Sequence, residues 1–446
     1  MGERNQPQRR AERRSARRKA QWTRVLPWLA AALLAVAGLM LLPGAFQPGD
    51  LPAATFVPVA SPDASETDAG AAVSSRMEDG APPPDALNAS PAPEDGAPLD
   101  ASARPVGTQA PGDGLATAQP DAAPAPAGSP AAEPVRLTIS AAGDCTLGGD
   151  ASRRTYAAFA SAFKKNGADY FLKNVREIFS KDDLTVVNLE GPLTTGKRFR
   201  VKEFAFKGDP AYVKILTEGS VEAANLANNH AKDYYGAGLT DTADALLGAG
   251  VARFGWGNSA VLTIKGVKVG LCGFGVWYVS AKEMQRQIKA LKAKCDLVIA
   301  SIHGGEEGQG RALKVQKSYD RAAVRAGASL VLGHHPHVVG GIEKYQGATI
   351  VYSLGNFCFG GNLNPDDKDT FIFQQTFEIA ADGPVAAGEL VIPCSISGSQ
   401  SKNDYQPTPL TGLGAQHVLD RIEKLSKDFD QPVDLTASRE RLKEAG

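Results

Sequence analysis

The feature that most constrains this chain is a set of short, almost wholly apolar runs spread over residues 135–446, each stopping on a polar side chain. LTISAA, LTVVNL, LVIASI and SLVLG have strand length and lack polar alternation, as strands covered on both faces do. Strands are expected over 136–141, 184–189, 221–227, 268–274, 297–302, 330–332 and 349–354. Residues 261–264 and 267–271 flank Lys265-Gly266, a two-residue hairpin turn. Helical spacing takes over at 239–247, where Leu239, Ala243, Leu246 and Leu247 share a face, and at 317–326. Strands alternating with helices predict an α/β domain over 135–415, with a helical tail at 416–446.

The residues that close these strands carry the chemistry. Asp144 comes just after the first, and Asn188 and Glu190 close the second. Asn228, Asn229 and His230 close the third, and His303 follows LVIASI. His334, His335 and His337 follow SLVLG, and Asn356 follows IVYSL. In α/β sheets, ligands and reacting groups collect beyond the carboxyl ends of strands. One histidine at a strand end is more often a structural hydrogen-bonding residue. Five of the six histidines stand at such ends, with only His417 in a surface segment, and beside Asp144, Glu190 and Asn229 they point to a metal site.

Imidazole nitrogen with carboxylate and amide oxygen suits Mn, Zn or Fe rather than a thiolate-preferring ion. Pro336 fixes its own φ and keeps its neighbours out of helix, so the rings of His335 and His337 need not pack on alternate faces. Glu306 and Glu307, just after His303, are either acid/base groups or solvated loop charges. The five cysteines form no C-x-x-C pair and give no zinc-ribbon or redox motif.

Composition divides the rest of the chain. Residues 1–24 hold nine Lys/Arg against two acids, a basic tail expected to stay cytoplasmic. Residues 25–42, VLPWLAAALLAVAGLMLL, carry no charge and nearly reach the ~20 residues that cross a bilayer. The run exceeds the usual apolar stretch of a cleaved signal peptide and no clear A-x-A site follows, so a single-pass signal anchor is expected. Residues 43–134 are rich in Ala, Pro and acids without hydrophobic periodicity, and read as a disordered linker that spaces an extracytoplasmic domain from the membrane. No Lys/Arg stripe marks the domain, so nucleic acid is not an expected partner.

The runs AAGDCTLGG, VVNLEGPLT, FKGDPAYV, LANNHAKDYYGAGLTDTADAL, SIHGGEEG, LVLGHHPHV and IVYSLGNF, with the later NDYQPTPL, resemble the CapA (poly-γ-glutamate capsule synthesis) family, related to calcineurin-like metallophosphoesterases. The resemblance covers about 135–415 and implies a metallophosphatase-like four-layer α/β/β/α sandwich, which the span at 25–42 would tether to a bacterial inner membrane. It implies that Asp144, Glu190, Asn229, His303, His335 and His337 hold one or two divalent ions. His230, oriented by Asp233, would be the catalytic acid, with Asn188, Asn228, Glu306 and Asn356 around the substrate. Relatives of calcineurin usually carry Asp-x-His in the first motif, where Thr146 takes the third place here; Gly304 stands where a Trp usually follows His303. The resemblance thus implies one fully ligated metal and leaves the second open.

The function implied is hydrolysis or transfer at a phosphoester or γ-glutamyl amide of an anionic cell-envelope polymer or its precursor. The alternative is a non-catalytic, polymer-binding component of a synthesis or export complex, working with other capsule synthesis subunits. A nucleotidase-like scavenger is a third reading.

Overall fold

The computed structural model describes residues 133–380 and 383–444. The basic tail, the span expected at 25–42 and nearly all of the linker lie outside the described residues. Among the described residues no helix is long and apolar enough to cross a membrane.

The strands in chain order begin with β1 Val135–Thr146, β2 Gly149–Asp150, β3 Leu184–Leu189, β4 Phe206–Lys207, β5 Ala223–Asn225 and β6 Ala252–Phe254. Next come β7 Ala260–Ile264, β8 Val267–Gly275, β9 Leu297–His303, β10 Leu330–His334, β11 Ile342–Tyr345 and β12 Ala348–Val351. The series closes with β13 Asn356–Phe359, β14 Asp369–Ala380, β15 Gly383–Ser395 and β16 Thr408–Pro409. One sheet runs β16-β15-β14-β1-β3-β5-β6 with β13 paired to β1, the other β11-β12-β10-β9-β8-β7.

The two sheets share a core. Leu137 and Ile139 of β1, Val186 of β3 and Phe371 and Phe373 of β14 pack with Val269, Leu271, Ile299 and Leu332 of the second sheet. Each such buried Leu, Ile or Phe contributes about 1.5–3 kcal/mol relative to exposure, which ties the sheets rigidly together. Helices cover the outer faces. Phe159 and Phe171, from helices Arg154–Asn166 and Asp169–Leu172, pack on Val187 and Leu189. On the other side the helix Ala281–Lys292, capped by Ser280 Oγ accepting from Glu283 N, buries Met284, Ile288 and Leu291 against β8 and β9. The penultimate helix, Gly412–Ser426, inserts Val418, Leu419 and Ile422 into the inter-sheet core.

β1 is longer than its apolar run. Residues 135–141 pair antiparallel with β14, after which the strand changes partner: Asp144 and Thr146 pair parallel with Asn356 and Phe359 of β13. The expected end at Ala141 is therefore corrected to Thr146, and Asp144 lies inside the strand rather than beyond it. Gly143 permits the switch, since a Cβ there would overlap the Gly355 carbonyl that accepts from Asp144 N at 2.9 Å.

Candidate metal centre

The first sheet brings Asp144, Asn188, Glu190 and the 228–230 loop to one edge, and the second brings His303 and the 334–337 loop. Parallel pairing sets the heights: Asp144 faces Asn188 across β1 and β3, and His303 faces His334 across β9 and β10. His335 and His337 both adopt left-handed backbone, φ 98° and 60°, on either side of Pro336. Such conformations cost of order 1–3 kcal/mol each for residues with a Cβ. They bring the two rings to one side, 5.8 Å between centres.

Two groups of ligand atoms result. Asp144, Glu190 and His337 form one, and Glu307, His335 and His337 the other, each with atoms within 4.8 Å of one another. His337 Nδ1 lies 3.1 Å from Asp144 Oδ2 and 3.8 Å from Glu190 Oε2, off hydrogen-bonding geometry for both. His334 Nδ1 is 3.3 Å from Asp144 Oδ1 in the same relation. Among the described residues thirteen buried side-chain N and O atoms lack a hydrogen-bond partner, and eight belong to Thr146, Glu190, His334, His335, His337 and Asn356. Buried polar atoms are normally satisfied, each orphan costing roughly 1–3 kcal/mol. Carboxylate and imidazole atoms left partnerless together form a donor set that fits a divalent ion of the Mn, Zn or Fe kind.

Asn188 organises the floor. Its Nδ2 donates to Asp144 Oδ1 at 2.8 Å and reaches His303 Nδ1 at 3.3 Å, while its Oδ1 accepts from Asn225 and Asn228 at 2.9 and 3.2 Å. Nδ1 of His303 is thus the acceptor, and its Nε2–H points to Asn229 Oδ1 at 2.8 Å, an assignment made from the network. Asn229 and His303 therefore satisfy each other here. Glu190 Oε1 stands 3.5 Å from the same Nε2. Beside the cluster, His230 Nδ1 meets Asp233 Oδ2 at 2.7 Å, and Phe206 N donates to that same oxygen at 2.7 Å. The other Asp233 oxygen accepts from Lys202 Nζ at 2.8 Å.

Burial and charge set the protonation. Burial opposes the charge on Asp144, yet His334 and His337 hold it well below the usual carboxylate range. Burial pushes Glu190 up to about 8, with His337 pulling the other way. Burial also disfavours His337 as a cation, but Glu190 and Asp144 outweigh it and raise the ring to about 10. His303 is driven well below its ordinary value and His335 down to about 4, both chiefly by burial. His230 is lowered by burial despite Asp233. Of these neutral rings, His335 and His230 can offer a lone pair, while both nitrogens of His303 are held by Asn188 and Asn229.

Of the six ligands expected, Asp144, Glu190, His335 and His337 fall in the two groups, whereas Asn229 and His303 belong to neither and bond to each other. Glu306 is exposed and belongs to neither ligand group; its neighbour Glu307 takes that place, because the turn after His303 aims the second glutamate at His335 and His337. His334, counted among the strand-end histidines but not among the implied ligands, ends β10 inside the sheet, 1% exposed, with both ring nitrogens unpartnered. Its signal was the doubled histidine directly after an apolar strand.

A family described as bacterial capsule synthesis protein PGA_cap matches residues 138–361. The PGA biosynthesis protein CapA of Bacillus subtilis (strain 168) is 30% identical over 248 residues, 50% of this chain and 63% of that one. The capsule biosynthesis protein CapA of Bacillus anthracis is 28% identical over 254 residues, 50% and 60%. The chain thus spans less than two thirds of the length of these relatives. The solved calcineurin-like phosphoesterase YfkN from Bacillus subtilis overlays with a TM-score of 0.37 at 16% identity, covering 65% of this chain and 97% of that one, too loosely to assign chemistry. The family match takes in β1 through β13, every strand that brings a ligand to the centre, and the chain belongs to the PGA_cap family of bacterial capsule synthesis proteins.

Proposed function

We propose that this chain is a membrane-anchored, extracytoplasmic protein of capsule or polyglutamate synthesis whose metallophosphatase-like sandwich works on an anionic envelope polymer or its precursor by metal-dependent hydrolysis or transfer. The observation that carries this reading is the gathering of the partnerless buried Glu190 carboxylate and partnerless buried imidazole nitrogens beside Asp144, where two sheets meet. The names of the Bacillus relatives, and of a probable polyglutamine synthesis accessory protein of Mycobacterium tuberculosis (strain ATCC 25618 / H37Rv) at 29% identity, support the pathway and other synthesis subunits as partners. The uncharged run at 25–42 behind a basic tail supports the anchor.

Asp144, Glu190 and His337 would hold the ion, with His335 and Glu307 completing its shell. A divalent ion held there supplies Lewis-acid polarisation of the bond to be broken. Asn188 fixes Asp144, and Asp233 fixes His230 Nδ1–H, leaving the lone pair on the other ring nitrogen free to take the nucleophile's proton and pass it on to the departing group. Burial keeps water from competing for these polar contacts.

The test uses the full-length chain in detergent, assayed on phosphodiesters, phosphomonoesters and poly-γ-glutamate beside His335→Ala and His230→Ala. Turnover that both variants lose supports the reading. Bound metal without turnover on any substrate moves it to polymer holding. A reporter fused after residue 134 should report extracytoplasmic, and a cytoplasmic signal rejects the anchor's orientation.

A further inference from the structure

One side of the metal centre is lined by rings and cations, all but Lys202 left idle by the chemistry above. Trp277 and Tyr278 follow β8, and each is 51% exposed. Trp277 stands edge-on to His335 with ring centres 4.7 Å apart, and Tyr278 lies 4.8 Å from Trp256. Lys232 Nζ sits 3.7 Å over the Trp256 ring. Arg200 Nε donates to the Lys232 carbonyl at 3.1 Å, and Arg198 and Arg200 lie 4.9 and 5.2 Å over Tyr235. Lys202 closes the line at the centre itself, donating to Asp233 and, at 3.3 Å, to the Asn229 carbonyl. Rings and cations thus run without a break from His335 to Arg198.

The sequence explains the placement. Residues 196–202, GKRFRVK, hold four cations and no acid, and they form neither helix nor strand. Surface cations that only solubilise a protein are usually interspersed with acids. Here Arg198, Arg200 and Lys232 are backed by aromatic faces, which holds their charged ends in place. Exposed Trp and Tyr beside such cations give a surface that is apolar and positive by turns. The acids at the mouth, Glu306 and Glu307, sit on the loop after His303 and not on this strap.

We propose that this track is a subsite that holds an extended polymer bearing one carboxylate per repeat and delivers it to the metal centre. The proposal rests on reading that centre as acting on an anionic polymer. The cations take the carboxylates, and Trp277, Tyr278 and Trp256 cover the methylene stems between them. A polyphosphate has no apolar face for three rings, which favours the carboxylate chain.

The experiment titrates the full-length, Zn-loaded chain with fluorescently labelled polyglutamate, with its neutral hydroxyethyl-amide and with polyphosphate. Arg198→Glu, Lys232→Glu and Trp277→Ala are compared with wild type, and metal content checks that each variant keeps a folded centre. Each charge reversal should weaken polyglutamate binding roughly fivefold and flatten its salt dependence. Trp277→Ala should weaken it with the salt dependence kept, and the neutral polymer should bind poorly to every form. Wild-type affinity in both charge-reversal variants, equal binding of the neutral polymer, or tighter binding of polyphosphate overturns the proposal. A metal-loaded chain that ignores polyglutamate sinks the track alone. A chain that takes no metal yet binds polyglutamate through these residues sinks the centre alone.

Discussion

Replacing Glu190 by Gln should stabilise the metal-free chain while crippling its metal binding. Glu190 is fully buried and neither oxygen has a hydrogen-bond partner. Burial, partly offset by His337, raises its carboxyl from 4.5 to about 8. A carboxyl raised on folding costs nothing below its unfolded value, and stability is lost as pH climbs from there through the folded value. At pH 7 that loss spans roughly 2.5 units at about 1.4 kcal/mol each, so the wild type gives up on the order of 3 kcal/mol. Gln has nearly the same shape and does not titrate. Guanidinium unfolding in chelator should therefore show the variant more stable at pH 7, with the gap almost closed near pH 4.5. Saturating Mn or Zn should reverse the order, since an ion present at a thousand times its Kd adds about 4 kcal/mol to a chain that binds it. A variant less stable than wild type in chelator at pH 7, or one gaining as much from metal, would refute the reasoning.

Gly143→Ala should cost about 1–3 kcal/mol and lower metal content together, because the new methyl would overlap the Gly355 carbonyl beside Asp144; calorimetry with metal analysis checks both. Glu222 is pushed up to about 7 by burial although it accepts from Thr185 N at 2.8 Å. Wild-type stability should fall as pH rises from 4.5 through about 7, and Glu222→Gln should flatten that slope in unfolding midpoints measured across the range. Glu307→Gln should weaken metal binding roughly tenfold while Glu306→Gln leaves it unchanged, read by competition with a chromogenic chelator.

The apolar runs were legible because strands covered on both faces have no polar alternation to blur them; β3 and β9 fall within a residue of expectation, and β10 starts as expected and ends two residues later. The ligands were legible because each sits within four residues of such a run. The β14–β15 pair escaped notice, since β15 is partly exposed and its VAAGELVIP stretch mixes small and charged residues. The left-handed backbone at His335 and His337 was half legible: Pro336 signals a break from helix, but the positive φ that turns both rings inward is imposed by the surrounding packing. Glu307 was indistinct from Glu306 because two adjacent glutamates in a loop differ only once the turn is built. The track from Trp277 to Arg198 joins segments at 196–202, 232–235, 256 and 277–278, and nothing in any one of them announces the others.

His337 is the residue on which the whole account of the site converges, because it belongs to both ligand groups and faces Asp144 and Glu190 together. The most direct measurement is the metal content of the purified full-length chain by plasma mass spectrometry, wild type against His337→Ala, with circular dichroism showing that both are folded. The account predicts at least one Mn, Zn or Fe ion per wild-type chain and near-complete loss in the variant. A folded wild-type chain without metal, or a variant that holds as much as wild type, would contradict it.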